Sequence, residues 1–131
     1  MTHVLDASAL MAYLEKESGY EKVKEVFIQA AESEKRVLMS VVNWGEVYYV
    51  LIKAYGLQKA QEVLSLIETF PVDVIDANKE IATQAALYKA QKKLAYADSY
   101  AAALAKLRKA DLLTADKEFH LVERDVKIVW L

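Results

Sequence analysis

The sequence predicts an α/β fold: a three-layer sandwich whose central parallel sheet of about five strands is flanked by helices. Two observations carry that expectation. Short apolar runs alternate with long amphipathic segments along the chain, the pattern of repeated strand–helix units. The runs are nearly continuous in apolar residues, as strands buried on both faces require. One proline (Pro71) and three glycines (Gly19, Gly45 and Gly56) leave no flexible linker, and no internal repeat is visible. Residues 1–131 are therefore expected to form a single domain with a substantial core.

The elements follow in order. "HVL" (3–5) reads as a buried strand, and a helix over about 7–17 is broken at Ser18 and Gly19. Residues 20–34 place Val23, Val26, Phe27 and Ala30 at helical spacing. "RVLMS" (36–40) is the second strand. Helices over about 42–55 and 57–69 meet near Gly56, and Pro71 introduces "VDVI" (72–75), the third strand. Helices are expected over 78–94 and 97–109, then "LLTA" (112–115) as the fourth strand. A short helical turn (116–122) precedes "VKIVW" (126–130), the fifth. Right-handed crossovers place every strand's carboxyl end at one edge of such a sheet, where ligands bind at the reversal of strand order. The first strand is expected at the centre, with Asp6 at that crevice.

Composition narrows the chemistry. Hydrophobic residues make up 55% and charged residues 27%, which excludes a disordered chain. The absence of cysteine excludes a disulfide framework and a thiolate metal site. Only His3 and His120 are present, which argues against a histidine-rich zinc site. No apolar run approaches the ~20 residues of a membrane span, and the first residues do not read as a signal peptide. The expected location is the cytoplasm. The net charge of −2 is unevenly spread: residues 1–80 carry 8 basic against 13 acidic side chains, residues 81–131 carry 9 against 6. Lys89, Lys92 and Lys93 share a helical face by spacing, and Lys106, Arg108 and Lys109 follow. Either a solvated helix face or a local nucleic-acid contact accounts for them.

Four acids stand in comparable settings. Asp6 follows the first strand and Asp116 the fourth; each reads locally as a helix N-cap. Glu46 lies among Val41, Val42, Trp44, Val47, Tyr48 and Tyr49, a costly position for an unpaired carboxylate. Asp98 opens an alanine-rich helix whose small side chains allow close approach to the sheet. Packed together, these carboxylates repel one another or become protonated, unless a divalent cation joins them. Hard oxygen ligands point to Mg²⁺ or Mn²⁺, and such a cation can assist hydrolysis of a phosphate ester.

The residues "VLDASAL", "SVVNWGEV", "ADSYAAALA" and "LLTADKEF" resemble the PIN-domain family, and most closely its VapC-type toxins of toxin–antitoxin pairs. The resemblance spans essentially the whole chain. It implies a Mg²⁺- or Mn²⁺-dependent endoribonuclease in which Asp6, Glu46, Asp98 and Asp116 hold the metal or orient its water. Ser8 and Thr114 would support carboxylates, Asn43 would position Glu46 or substrate, and Glu118 would add an outer acid. It further implies an RNA substrate, 5′-phosphate and 3′-hydroxyl products, a homodimer, and an antitoxin protein as inhibitor. One departure is Ala115, where the family's T-x-D motif commonly has glycine. Beside the resemblance, Lys89, Lys92, Lys93, Lys106, Arg108 and Lys109 become candidate RNA contacts.

Other readings fit less well. A haloacid-dehalogenase-type phosphatase requires D-x-D where Ser8 stands. A receiver domain requires a late strand-end lysine that is absent, with Asp76 the nearest phosphoacceptor. A PIN-type nuclease of RNA processing and a catalytically silent interaction module remain alternatives, the latter drawing on the tyrosines at 48, 49, 55, 88, 96 and 100.

Overall fold

The computed structural model of the protein describes residues 1–131. Five strands, β1 (His3–Leu5), β2 (Val37–Ser40), β3 (Val72–Ile75), β4 (Asp111–Thr114) and β5 (Ile128–Trp130), form one sheet in the order β3-β2-β1-β4-β5. Every pairing is parallel, with Leu5 opposite both Met39 and Leu113. Strand β1 is central, and the order reverses between β1 and β4. The crevice that such a reversal opens lies at the carboxyl ends of these two strands.

Helices α1 (Ala7–Leu14), α2 (Tyr20–Ser33), α3 (Val41–Tyr55) and α4 (Leu57–Ile67) precede β3. Helices α5 (Lys79–Lys92) and α6 (Tyr96–Arg108) precede β4, and a 3₁₀ helix (Lys117–Val122) links β4 to β5. Alternation along the strands divides the core in two. Val4, Leu38 and Leu112 pack with the α5, α6 and 3₁₀ side. Leu5, Met39 and Leu113 pack with α1, α2, α3 and α4. Ala101, Ala102, Ala103 and Ala105 of α6 are buried almost completely. Without side chains beyond Cβ, α6 sits close to the sheet, so its first turn is brought down onto the strand ends.

Several boundaries differ from the sequence expectation. Helix α1 stops at Leu14, because Lys16 turns into left-handed backbone (φ 52°) and Gly19 follows at φ 92°. A Cβ on Gly19 would meet the Leu131 Cβ at 2.5 Å, so this turn closes against the end of the sheet. β3 is an edge strand and not a buried one: Asp73 and Val74 are exposed, and Asp73 receives the Arg36 guanidinium at 2.6 Å. α5 ends at Lys92; Lys93 turns left-handed (φ 60°), so Lys89 and Lys92 share a helical face and Lys93 leaves it. No helix is long and apolar enough to cross a membrane.

Candidate active site

Each of the four acids lies where a strand gives way to a helix, or in the early turns of one. Asp6 follows β1 as the N-cap of α1, its Oδ1 accepting from the Ala9 N–H at 2.9 Å. Asp116 caps the 3₁₀ helix two residues after β4, accepting from the Glu118 N–H at 2.9 Å. The capping interpretation thus holds locally for both, and the wider network shows what else they do.

Asp6 is 2% exposed and surrounded by donors. The Ser8 hydroxyl donates to its carboxylate at 2.8 Å, and the Thr114 hydroxyl donates to Oδ2 at 2.5 Å. Each hydroxyl has one proton, spent on Asp6, so each oxygen is left to accept. Ser8 Oγ accepts from the Ala115 N–H at 3.0 Å, and Thr114 Oγ1 accepts from the Asp116 N–H at 2.9 Å. The buried carboxylate therefore anchors two hydroxyls, and these fix the loop that carries Asp116. Ala115 is exposed and its φ is not left-handed, so this loop places no demand for glycine there.

Glu46 stands in the second turn of α3, which follows β2 without a break because Ser40 ends the strand and caps the helix, its Oγ accepting from the Val42 N–H. The fully buried Asn43 donates its amide to Glu46 Oε1 at 2.8 Å and to the Ala97 carbonyl at 3.1 Å. One amide thus ties α3 to the first turn of α6, where Asp98 stands. Asn43 Oδ1 is buried without a partner.

Asp98, Asp116 and Glu118 form the tightest group: one carboxylate oxygen from each lies within 4.8 Å of the others. Asp6 and Glu46 lie close enough for their charges to act on Asp98. Glu118, expected only as an outer acid, stands inside the group. Nearness in sequence to Asp116 marks Glu118 as an adjacent acid, and the 3₁₀ turn carries it into the group.

Burial and repulsion act together on Asp98. Burial lifts the Asp98 carboxyl from its ordinary 3.8 to about 7, and the charges of Asp116, Glu46, Asp6 and Glu118 add to the lift. Burial also lifts Asp6 to about 6, against the opposing hydrogen bonds from Thr114, Ala9 and Ser8. The ion pairs of the protein are Arg36–Asp73, Lys59–Glu62, His120–Glu123 and Lys127–Asp111, so none of these five acids is neutralised by a basic side chain. A hard divalent cation fits this all-oxygen donor set and removes the repulsion.

The basic residues divide into two groups. Residues 93–95 connect α5 to α6, so Lys92 and Lys93 stand by the end of α6 that carries Asp98, with Lys89 one turn earlier. Lys106, Arg108 and Lys109 are at the opposite end, about 15 Å along the helix axis from Asp98. Lys106 and Lys109 line a shallow pocket there with Asp111, Asp125 and Lys127, at the amino end of β4. The structure does not bring these three to the acids, because a helix separates what is near in sequence.

Residues 3–125 match the PIN domain family. The fold is also that of solved structures of low sequence identity. The DNA-bound VapBC of Salmonella typhimurium superposes with a TM-score of 0.80 at 17% identity, covering 98% of this chain and 97% of that one. VapBC2 of Rickettsia felis, bound to a promoter DNA fragment, gives 0.78 at 16%, covering 98% of each. VapC20 of Mycobacterium tuberculosis, a sarcin–ricin-loop-cleaving toxin, gives 0.70 at 13%, covering 95% of each. No curated protein sequence matches the chain. With the match running from β1 through the turn before β5, the chain belongs to the PIN domain family.

Proposed function

We propose that the chain is a Mg²⁺- or Mn²⁺-dependent endoribonuclease, the toxin of a type II toxin–antitoxin pair, with residues 1–131 acting as one nuclease domain. The observation that carries this reading is the convergence of five unpaired carboxylates on the crevice between β1 and β4. Membership of the PIN domain family supports it, as does the likeness of the fold to VapBC proteins. An antitoxin protein, a second copy of the chain and a cytoplasmic setting belong to the same proposal.

In this reading Asp98, Asp116 and Glu118 would hold the cation. Asp6 and Glu46 complete the acidic surround. The cation, when bound, supplies Lewis-acid activation of water and charge stabilisation at phosphorus. Asp6 keeps the Asp116 loop in place through Ser8 and Thr114. Asn43 holds Glu46 and the start of α6 at a fixed separation. Asp98 must release its proton before it can serve as a ligand, so affinity for the cation falls as pH drops below about 7.

Cleavage of RNA should require Mg²⁺ or Mn²⁺, cease in EDTA, and be lost in Asp6→Asn. Metal-independent cleavage, or full activity in that variant, overturns the reading. Lys89, Lys92 and Lys93 are the proposed backbone contacts on this side of the molecule. Reversing Lys92 and Lys93 to glutamate should weaken RNA binding at low salt by roughly tenfold or more, with a shallower salt dependence. Binding and salt slope that match the wild type would exclude those two lysines. Lys106, Arg108 and Lys109 could reach the strand only where it extends past the far edge of the sheet.

A further inference from the structure

Beyond the acids, the carboxyl edge carries an aromatic pair that none of the site chemistry uses. In register, Trp130 of β5 lies beside Thr114 of β4. Side chains at paired positions of parallel strands point to the same face. Ile128 and Trp130 pack on the α5–α6 side, whereas Val129 and Leu131 pack on the other. Thr114 is hydrogen-bonded to Asp6. Asp6, Thr114 and Trp130 thus form a row along three adjacent strands, on the face that α6 covers. Two strand spacings, about 10 Å, separate the strand of Asp6 from that of Trp130.

The His120 ring lies over Trp130, with centroids 4.4 Å apart and an interplanar angle of 33°. Glu123 holds the imidazole through Nδ1 at 3.1 Å. Trp130 packs on the core and is half-buried, while the His120 side chain over it remains 57% exposed, so the pair opens to solvent on the His120 side. His120 is reached from Asp116 through a single short 3₁₀ helix, which ties the pair's position to that of the acids. Lys117 and Arg124, at the two ends of that helix, are exposed beside it.

We propose that His120 and Trp130 form a stacking platform for a nucleobase of the RNA strand, next to the nucleotide whose phosphate is cut. The inference rests on the nuclease reading and adds to it a way of holding substrate. An acidic crevice repels the phosphates on either side of the one it hydrolyses, so lysines alone grip poorly close to the centre. A base is neutral and presents a π face, and stacking on an aromatic side chain is tolerant of sequence. Such a platform requires an unpaired base, and it therefore selects single-stranded loops over duplex.

The test uses the full chain with Asp98→Asn, which does not cut the strand, and with Trp44→Phe, so that fluorescence reports Trp130. The probe is a short unstructured oligoribonucleotide with a dye at one end, so that anisotropy reads affinity in every variant, including Trp130→Leu, which has no tryptophan left. It should quench Trp130 as it binds, and His120→Ala and Trp130→Leu should each weaken binding by roughly tenfold, with His120→Ala leaving the melting temperature near its starting value. The same strand annealed into a duplex should bind more weakly and quench less. Strand binding without quenching, with unchanged affinity in both variants, overturns the platform and leaves the nuclease reading intact. Absence of any RNA binding, both here and in the wild type, overturns both. Should Trp130→Leu fail to fold, the His120→Ala titration alone decides, because that side chain is mostly exposed.

Discussion

Asp98→Asn should abolish cleavage and, in the same protein, raise the stability of the metal-free fold. Both effects have one cause. Asp98 is held among Asp116, Glu46, Asp6 and Glu118, and its carboxyl is lifted to about 7. A group that binds its proton more tightly folded than unfolded contributes stability that is full below the unfolded value near 3.8. That contribution is lost as pH rises through the folded value. At pH 8 the metal-free wild type therefore carries unrelieved repulsion, and asparagine removes it. Discounted for the half-exposed setting, the gain is about 1 kcal/mol, or roughly 3–5 °C in Tm for a chain of this size. Cleavage should fall by at least about 10²-fold, the scale seen when one preorganised electrostatic partner of a reaction is removed. Thermal melts in EDTA at pH 5 and pH 8, beside a cleavage assay, separate the two effects. The stability gain should be present at pH 8 and small at pH 5. A variant that melts earlier than wild type at pH 8, or that cuts RNA normally, would contradict the placement of Asp98.

Thr114→Val should be the most damaging change that leaves every carboxylate in place. Its hydroxyl donates to Asp6 and accepts from the Asp116 N–H, and the residue is fully buried. Valine keeps the volume but takes a donor from a buried carboxylate and leaves a backbone N–H unpaired. The two losses together cost about 2–4 kcal/mol. Asp6 should then titrate still higher, since burial already lifts it and the Thr114 bond is the first of the effects opposing that lift. The Asp116 loop loses one of its two hydroxyl tethers, and activity should fall with stability. Thr114→Ser retains the hydroxyl and should recover most of both. Denaturant unfolding gives the comparison directly; a valine variant as stable as wild type would show that the network does not hold the loop.

Much of the site could be read from residue order. Alternation of apolar runs with amphipathic helices identified all five strands, and the reversal of strand order beside β1 follows from topology rules rather than from any one residue. Asp6, Asp98 and Asp116 were legible because each sits next to an element boundary. Three features were not. The entry of Glu118 into the closest group depends on the 3₁₀ geometry after Asp116, which sequence spacing does not distinguish from an α-turn. The separation of Lys106, Arg108 and Lys109 from the acids depends on α6 spanning the sheet from edge to edge. The pairing of His120 with Trp130 depends on β5 lying beside β4, a contact between segments with no shared local signal.

Acids that otherwise repel need a cation to join them, and calorimetric titration of Mn²⁺ into the metal-free protein at pH 7 tests that most directly. Run in two buffers of different ionisation enthalpy, it reports binding and proton release together. With Asp98 titrating at about 7, binding should release roughly half a proton per site at pH 7. The release should shrink toward zero by pH 8.5, and both binding and release should be lost in Asp98→Asn. Absence of Mn²⁺ binding to the wild type, or binding of equal strength in Asp98→Asn, would contradict the account.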